Sequence, residues 1–325
     1  MTESSELNVP QLPEVKLGLA PVSAPVIGRI VSNDDCLKGK SASFVRHTVI
    51  DISGTALEGH CLVGQAFGVL APGLDDKGKP HKVRLYSISC SSDGEDGAGK
   101  VIATTTKRTV DETSSQTTND DSDEHSLFLG ICSNYMCDLI PGDEVKITGP
   151  NGKRFLLPLA PQEHNYLFVA TGTGIAPFRG MAIELLEKVG TTGQIHLLMG
   201  APYTTDLIYD DLFRRLEKKH ENFHYHTVIS RENRPDGAQG EYVHHFLKQN
   251  MNIFKPILED SRTLLYICGL AGMQSGLFKV MAENGVSESY FSVRNKLADI
   301  DPVDWDLNQV RRGVKITKRC MVEVY

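Results

Sequence analysis

No apolar run in this chain approaches the roughly 18 residues that a membrane-spanning helix needs. No basic–apolar leader opens it either, since Glu3 and Glu6 stand among the first residues. Membrane insertion, secretion and organelle import are therefore not expected, and a cytoplasmic location is. Metal-site spacing is also missing. The seven cysteines, at 36, 61, 90, 132, 137, 268 and 320, are odd in number and scattered. That pattern suits free thiols in a reducing compartment, not a disulfide framework. Four residues separate Cys132 from Cys137, but position 140 is Ile, so plant-type iron–sulfur spacing fails. The eleven histidines form no zinc pattern. No metal site and no nucleic-acid partner are expected.

The net charge of −7 says little about any surface. The segment 111–124 holds six acids and no base, so the rest of the chain sums to −1. That Ser/Thr/Asn/Asp-rich segment reads as a solvated, mobile insertion. It has no glycine and lacks the ligand spacing of a calcium loop. Residues 311–325 lean the other way, with Arg311, Arg312, Lys315, Lys318 and Arg319 against Glu323.

At 325 residues two domains with ample core are expected. Residues 1–25, with Pro10, Pro13, Pro21 and Pro25, read as an extended tail. From 26 to 158 short alternating segments are broken by Gly and Asp turns. The expected strands are 27–31, 45–52, 66–70, 83–89, 101–107, 127–129, 144–148 and 154–157, with one helix at 135–139. This is the pattern of a small antiparallel β-barrel. From 159 to 325 apolar strands (166–170, 194–199, 223–229, 263–268, 320–325) alternate with helices such as 178–188, 207–219 and 273–283. That predicts an α/β domain with a doubly wound, parallel five-stranded sheet.

Three short runs carry the chemistry. In Arg84-Leu85-Tyr86-Ser87-Ile88-Ser89, Arg84 can fork onto a pyrophosphate. Tyr86 can lie against a flavin ring, and the Ser87 hydroxyl can both donate to and accept from flavin N5. In Gly130-Ile131-Cys132-Ser133-Asn134, small residues let backbone N–H groups approach a phosphate. Thr171-Gly172-Thr173-Gly174-Ile175-Ala176-Pro177-Phe178 follows the continuous apolar strand 166–170 and precedes an amphipathic helix. Strand, glycine turn and helix suit a dinucleotide phosphate, with Pro177 fitting the first helical turn.

Together with Gly149-Pro150-Asn151-Gly152-Lys153, Ser230-Arg231-Glu232, Cys268-Gly269-Leu270-Ala271-Gly272-Met273 and the terminal Val322-Glu323-Val324-Tyr325, these runs resemble the plant-type ferredoxin–NADP reductases, the plastid and cyanobacterial class. The matches are collinear and span residues 28–325.

The resemblance implies FAD and NADP(H) as cofactors, and hydride transfer between nicotinamide C4 and flavin N5. It also implies one-electron steps to an acidic carrier, ferredoxin or flavodoxin. Arg84, Tyr86, Ser87, Gly130, Ile131, Cys132, Ser133 and Tyr325 would bind FAD. Lys107, Thr173, Gly174, Ser230, Arg231, Tyr242, Gly269, Leu270 and Met273 would bind NADP(H). Ser87, Cys268, Glu323 and Tyr325 would serve catalysis, with Tyr325 covering the flavin face. Candidate bases for docking the carrier are Lys38, Lys40, Lys107, Arg108, Lys153, Arg154 and those from Arg311 to Arg319. A reductase component of an oxygenase or other multi-protein redox system is the alternative, and a non-catalytic flavin-binding subunit the weaker one.

Two departures stand out. The family's Lys two residues before the adenine-side Tyr is Gly240 here, with Arg234 a candidate substitute. The family's Tyr for the FAD adenine, a few residues beyond the Lys-Arg pair, has no counterpart in Thr109-Val110-Asp111.

Overall fold

The computed structural model describes residues 9–39, 41–114, 125–234 and 237–324, and of residues 111–114, 125–127 and 295 the backbone alone. The chain divides into two compact units. One holds Lys16–Leu37 and Ala42–Gly152, and the other Met1–Val15, Lys38–Ser41 and Lys153–Tyr325.

The first unit contains β1 (Val26–Asp35), β2 (Val45–Asp51), β3 (Ala66–Leu70), β4 (Arg84–Ser87), β5 (Val101–Lys107), β6 (Val110–Ser114), β7 (His125–Leu129), α1 (Ile131–Asp138) and β8 (Glu144–Asn151). Six strands pair antiparallel in the order β4-β3-β8-β1-β2-β5, and an isolated bridge between Ile88 and Thr104 joins the two ends of that order. This is the expected barrel. Its centre is apolar, with Ile30, Ile50, Phe67, Val69, Ile88, Ile102 and Ile147 buried together. Residues 16–25 are no loose tail. Ala20 is 1% exposed in that core and bonds both ways to Gly149. β6 and β7 form a separate two-stranded ladder with Val110 opposite Leu129 and Asp111 opposite Phe128. The ends of the expected loop 111–124 thus belong to a hairpin or lead into one, while residues 115–124 lie outside the described residues. The helix expected at 135–139 begins at Ile131, because Gly130 takes the extended N-cap conformation and Cys132, Met136 and Cys137 fall on one buried face.

The second unit runs β9 (Asn165–Thr171), α2 (Ala176–Ile183), β10 (Ile195–Ala201), α3 (Asp210–Lys219), β11 (Phe223–Ile229), α4 (Val243–Gln249), α5 (Met251–Glu259), β12 (Thr263–Gly269), α6 (Ala271–Glu283), β13 (Phe291–Val293), α7 (Asn295–Ala298), α8 (Leu307–Gly313), β14 (Val314–Ile316) and β15 (Cys320–Val324). The sheet is parallel, in the order β11-β10-β9-β12-β15. On one face Leu167, Val169, Leu198 and Ile267 meet Phe254, Leu277 and Phe278 of the helices. On the other, Phe168 stacks on Phe178 at 4.9 Å. Arg154–Leu157, expected as a strand, is irregular. Phe155 packs on Phe178 and Tyr266, and the Leu156 carbonyl accepts from the Tyr266 hydroxyl, so burial there is met without a ladder. β13 pairs with β14 outside the main sheet. No described helix is long and apolar enough to cross a membrane.

Candidate nucleotide sites

In the barrel unit the first two motifs come together. Arg84 is exposed on β4, while Tyr86 and Ser87 are half-buried. Tyr86 lies against the Cys132 thiol, and burial raises its hydroxyl above the usual tyrosine range. Burial also raises Cys132, opposed by the Tyr86 contact and by the charge of Arg84. Arg84, Tyr86 and the first turn of α1 therefore share one neighbourhood. That helix start has no side-chain cap and no acid in its first turn, so its amides of residues 131–133 and the Arg84 guanidinium suit a phosphate. The Ser87 carbonyl accepts from Thr104 Oγ1 at 2.8 Å, fixing the end of β4.

Sequence reasoning missed what steadies this region. Ser133 Oγ accepts from the Thr109 amide at 3.1 Å and donates to the Gly130 carbonyl at 3.1 Å. Asn134 Nδ2 donates to the carbonyls of Thr109 and Gly130 at 3.0 and 2.8 Å, and its Oδ1 accepts from Arg108 at 2.8 Å. Arg108 also pairs with Asp138 and lies 4.9 Å from the Phe44 ring. A Cβ on Gly130 would stand 2.7 Å from Thr109 Cβ, so this glycine serves close packing of the turn. The only local signal was the four-residue spacing of Gly130 and Asn134 and of Asn134 and Asp138. Lys107 lies at the exposed end of β5.

In the sheet unit, Gly172 takes φ +55° and opens a tight turn that leads into α2. A Cβ on Gly174 would stand 2.2 Å from the Cys268 carbonyl oxygen. Gly174 therefore lets the turn touch β12, and Thr173 stands between the two glycines. Gly269 (φ +137°) sits equally close to Thr171, whose Oγ1 accepts from the Leu270 amide at 3.0 Å. The starts of α2 and α6, neither with a side-chain cap or a first-turn acid, are thus stitched together at the strand ends. Leu270 is exposed there and Met273 is buried.

A second cluster forms at the end of β11. The amides of Ser230 and Arg231 donate to the carbonyls of Ala201 and Pro202, and Glu241 N donates to Ile229 O at 2.9 Å. These bonds bring Tyr242, 62% exposed, to the loop that carries an exposed Arg231. Arg234 is not poised as a substitute cation, because it pairs with Glu241 at 2.7 Å. Gly240 does more than lack a Lys. A Cβ there would stand 2.7 Å from the carbonyl oxygens of both Glu232 and Ile229, so the loop has closed over the space.

Cys268 and Glu323 face each other across β12 and β15. Burial, and the neighbouring carboxylate of Glu323, push the Cys268 thiol far up. Burial raises Glu323 to about 7. The pair offers a neutral thiol beside a carboxyl that exchanges protons near neutrality. Tyr325 lies outside the described residues, as does Lys40. Of the other docking candidates, Lys38 pairs with Asp211 and Arg319 donates to the carbonyls of Asp260 and Thr263. Among the described residues no group of three metal-ligating side chains occurs.

Known proteins place these observations. The oxidoreductase NAD-binding domain family matches residues 168–278. The leaf-type chloroplastic ferredoxin–NADP reductase of Nicotiana tabacum is 34% identical over 306 residues, covering 93% of this chain and 77% of the relative. The cyanelle enzyme of Cyanophora paradoxa is 32% identical over 317 residues (96% and 80%). The ferredoxin–NADP reductase of Spirulina is 33% identical over 307 residues (93% and 95%). A solved structure, ferredoxin–NADP+ reductase from Plasmodium falciparum with 2'P-AMP, shares the fold at TM-score 0.68 and 22% identity, covering 95% of this chain and 99% of that one. The chain belongs to the ferredoxin–NADP reductase family.

Proposed function

We propose that this protein is an FAD-dependent reductase that moves electrons between NADP(H) and a one-electron protein carrier, ferredoxin or flavodoxin. One observation carries the reading: each unit presents an uncapped helix start at a glycine turn. In the first, the start of α1 shares a neighbourhood with the exposed Arg84 and with Tyr86; in the second, the start of α6 lies against the glycine turn that leads into α2, and β11 of the same sheet ends in the loop carrying the exposed Arg231 and Tyr242. When bound, the flavin accepts or gives a hydride at N5 and passes single electrons onward.

Residues 26–158 form the proposed FAD-binding domain and 159–325 the NADP-binding domain. Arg84 and the amides of residues 131–133 hold the pyrophosphate, Tyr86 flanks the ring, and Ser87 offers a hydroxyl to N5. Thr173, Gly174, Gly269, Leu270 and Met273 shape the floor for NADP(H), and Lys107 adds a base. Arg231 and Ser230 take the 2′-phosphate, with Tyr242 against the adenine. Cys268 and Glu323 form the polar end, with Glu323 holding or releasing a proton near neutral pH. We also place the protein in a reducing compartment such as the cytoplasm, a reading that the seven free thiols support.

The test is anaerobic stopped-flow on the purified protein. A yellow protein with one FAD, bleached by NADPH and reoxidised by ferredoxin or flavodoxin, is expected. A colourless protein that takes up no FAD overturns the reading. Bleaching without transfer to either carrier redirects it to another acceptor.

A further inference from the structure

Two aromatic side chains among the described residues are more than half exposed: Tyr242 at 62% and Phe128 at 56%. Tyr242 already has a proposed ligand. Phe128 has none, yet an open Phe ring carries no polar group to reward exposure. Other exposed apolar residues surround it in sequence and across the ladder: Val110, Leu129 and Ile131. By contrast Phe44, the next exposed Phe, serves as a platform for Arg46 and Arg108.

The position of Phe128 points to an occupant. It lies on β7 directly opposite Asp111, and two residues before Gly130, so Phe128 and Gly130 share a strand face. The start of α1 follows at once. From Phe128 to the first of the α1 amides, that of Ile131, is three residues of chain, at most about 10 Å when extended. That span suits a flat ring joined to a pyrophosphate through one sugar.

We infer that Phe128 is the platform for the adenine of FAD, supplying from β7 the aromatic surface that the segment after Arg108 does not. The inference rests on the FAD reading above. It assigns specificity for FAD over FMN to a hairpin side chain, while Arg84 and the α1 amides serve both flavins.

The test compares Phe128→Ala and Phe128→Trp with the unaltered protein, each stripped of flavin and titrated with FAD and with FMN. Base–aromatic stacking predicts that Phe128→Ala weakens FAD about tenfold or more, and Phe128→Trp restores it. FMN affinity should be unchanged in both. Three results overturn the assignment. One is unchanged FAD affinity in Phe128→Ala. Another is equal weakening of FAD and FMN, which would make Phe128 a packing residue. The third is unchanged FAD affinity with a raised KM for the carrier, which would make it a docking contact. If the unaltered protein binds no FAD, the underlying reading falls with it, and that result is seen before any variant is made.

Discussion

Around the start of α1, Ser133, Asn134 and Arg108 are each fixed by at least two hydrogen bonds or an ion pair, and Tyr86 is wedged against Cys132. At the end of β11, Arg231 and Tyr242 are exposed, and Arg231 is held through its backbone amide, which donates to the Pro202 carbonyl. The barrel unit thus has a prearranged, partly desolvated frame, and the sheet unit has open side chains on a braced loop. Preorganisation lowers the cost of holding a ligand, so the first arrangement suits a group that stays bound. The second suits one that binds, reacts and leaves.

Breaking the contrast at its strongest point, Arg84→Ala should weaken FAD by about 10- to 100-fold, since a charge-assisted hydrogen bond contributes roughly 1.5–3 kcal/mol. Flavin released on ultrafiltration measures this. An FAD affinity within twofold of the unaltered protein would show that the frame works without it. On the sheet side, Arg231→Ala should cut the kcat/KM preference for NADPH over NADH by roughly tenfold while leaving FAD in place. An unchanged ratio would remove Arg231 from the 2′-phosphate.

Gly240→Lys sharpens the contrast further. If the loop were merely missing a cation, this change would strengthen NADPH binding. Because a Cβ at 240 meets two carbonyl oxygens at 2.7 Å, the expected outcome is a Tm lowered by several degrees with no gain in NADPH preference.

The smallest effects concern pH and contrast the two edges of the parallel sheet. Glu323, on edge strand β15, is raised to about 7 from 4.5. Its folded form binds the proton more tightly, so its contribution to stability is complete below pH 4.5 and is lost as pH rises through 7. His196 lies on β10 beside edge strand β11, its Nδ1 3.1 Å from His226 Nε2. Burial and the charges of His224 and His226 lower it from 6.5 to about 3. Its contribution is present above pH 6.5 and declines as pH falls toward 3. Glu323→Gln should therefore make stability fall more steeply on acidification from pH 7 to 5, and His196→Phe less steeply. Melting curves across that range should resolve shifts of about 2–4 °C. Parallel curves for all three proteins would mean that neither group titrates differently on folding.

Much of the fold was legible because its signals are local. The run 223–229 is rich in aromatic and β-branched residues (Phe223, Tyr225, Thr227, Val228, Ile229), which marks a strand at its observed ends, and the glycine turn after 166–170 has its own sequence signature. Arg154–Leu157 misled for the same reason: an apolar run looks alike whether it pairs in a ladder or, as here, packs its Phe against distant aromatics. The hairpin was half seen, because the first of its strands begins the acidic segment whose composition reads as loop. At the site, residue types pointed to chemistry, but their support did not show. The Thr109–Ser133 bond, the Gly174–Cys268 approach and the crowding at Gly240 each join positions that no periodicity links.

The bridge between Ile88 and Thr104 has a last consequence. A barrel is a ring of staves, and this one has a seam where a single bridge, the Ser89 amide and one threonine hydroxyl do the work that full ladders do elsewhere. The stave on one side of that seam is the strand bearing Arg84, Tyr86 and Ser87. A cofactor gripped there, as proposed, would act as a hoop. It would tighten the ring at its least-stitched point, so occupancy and the stability of the barrel would rise and fall together through mass action.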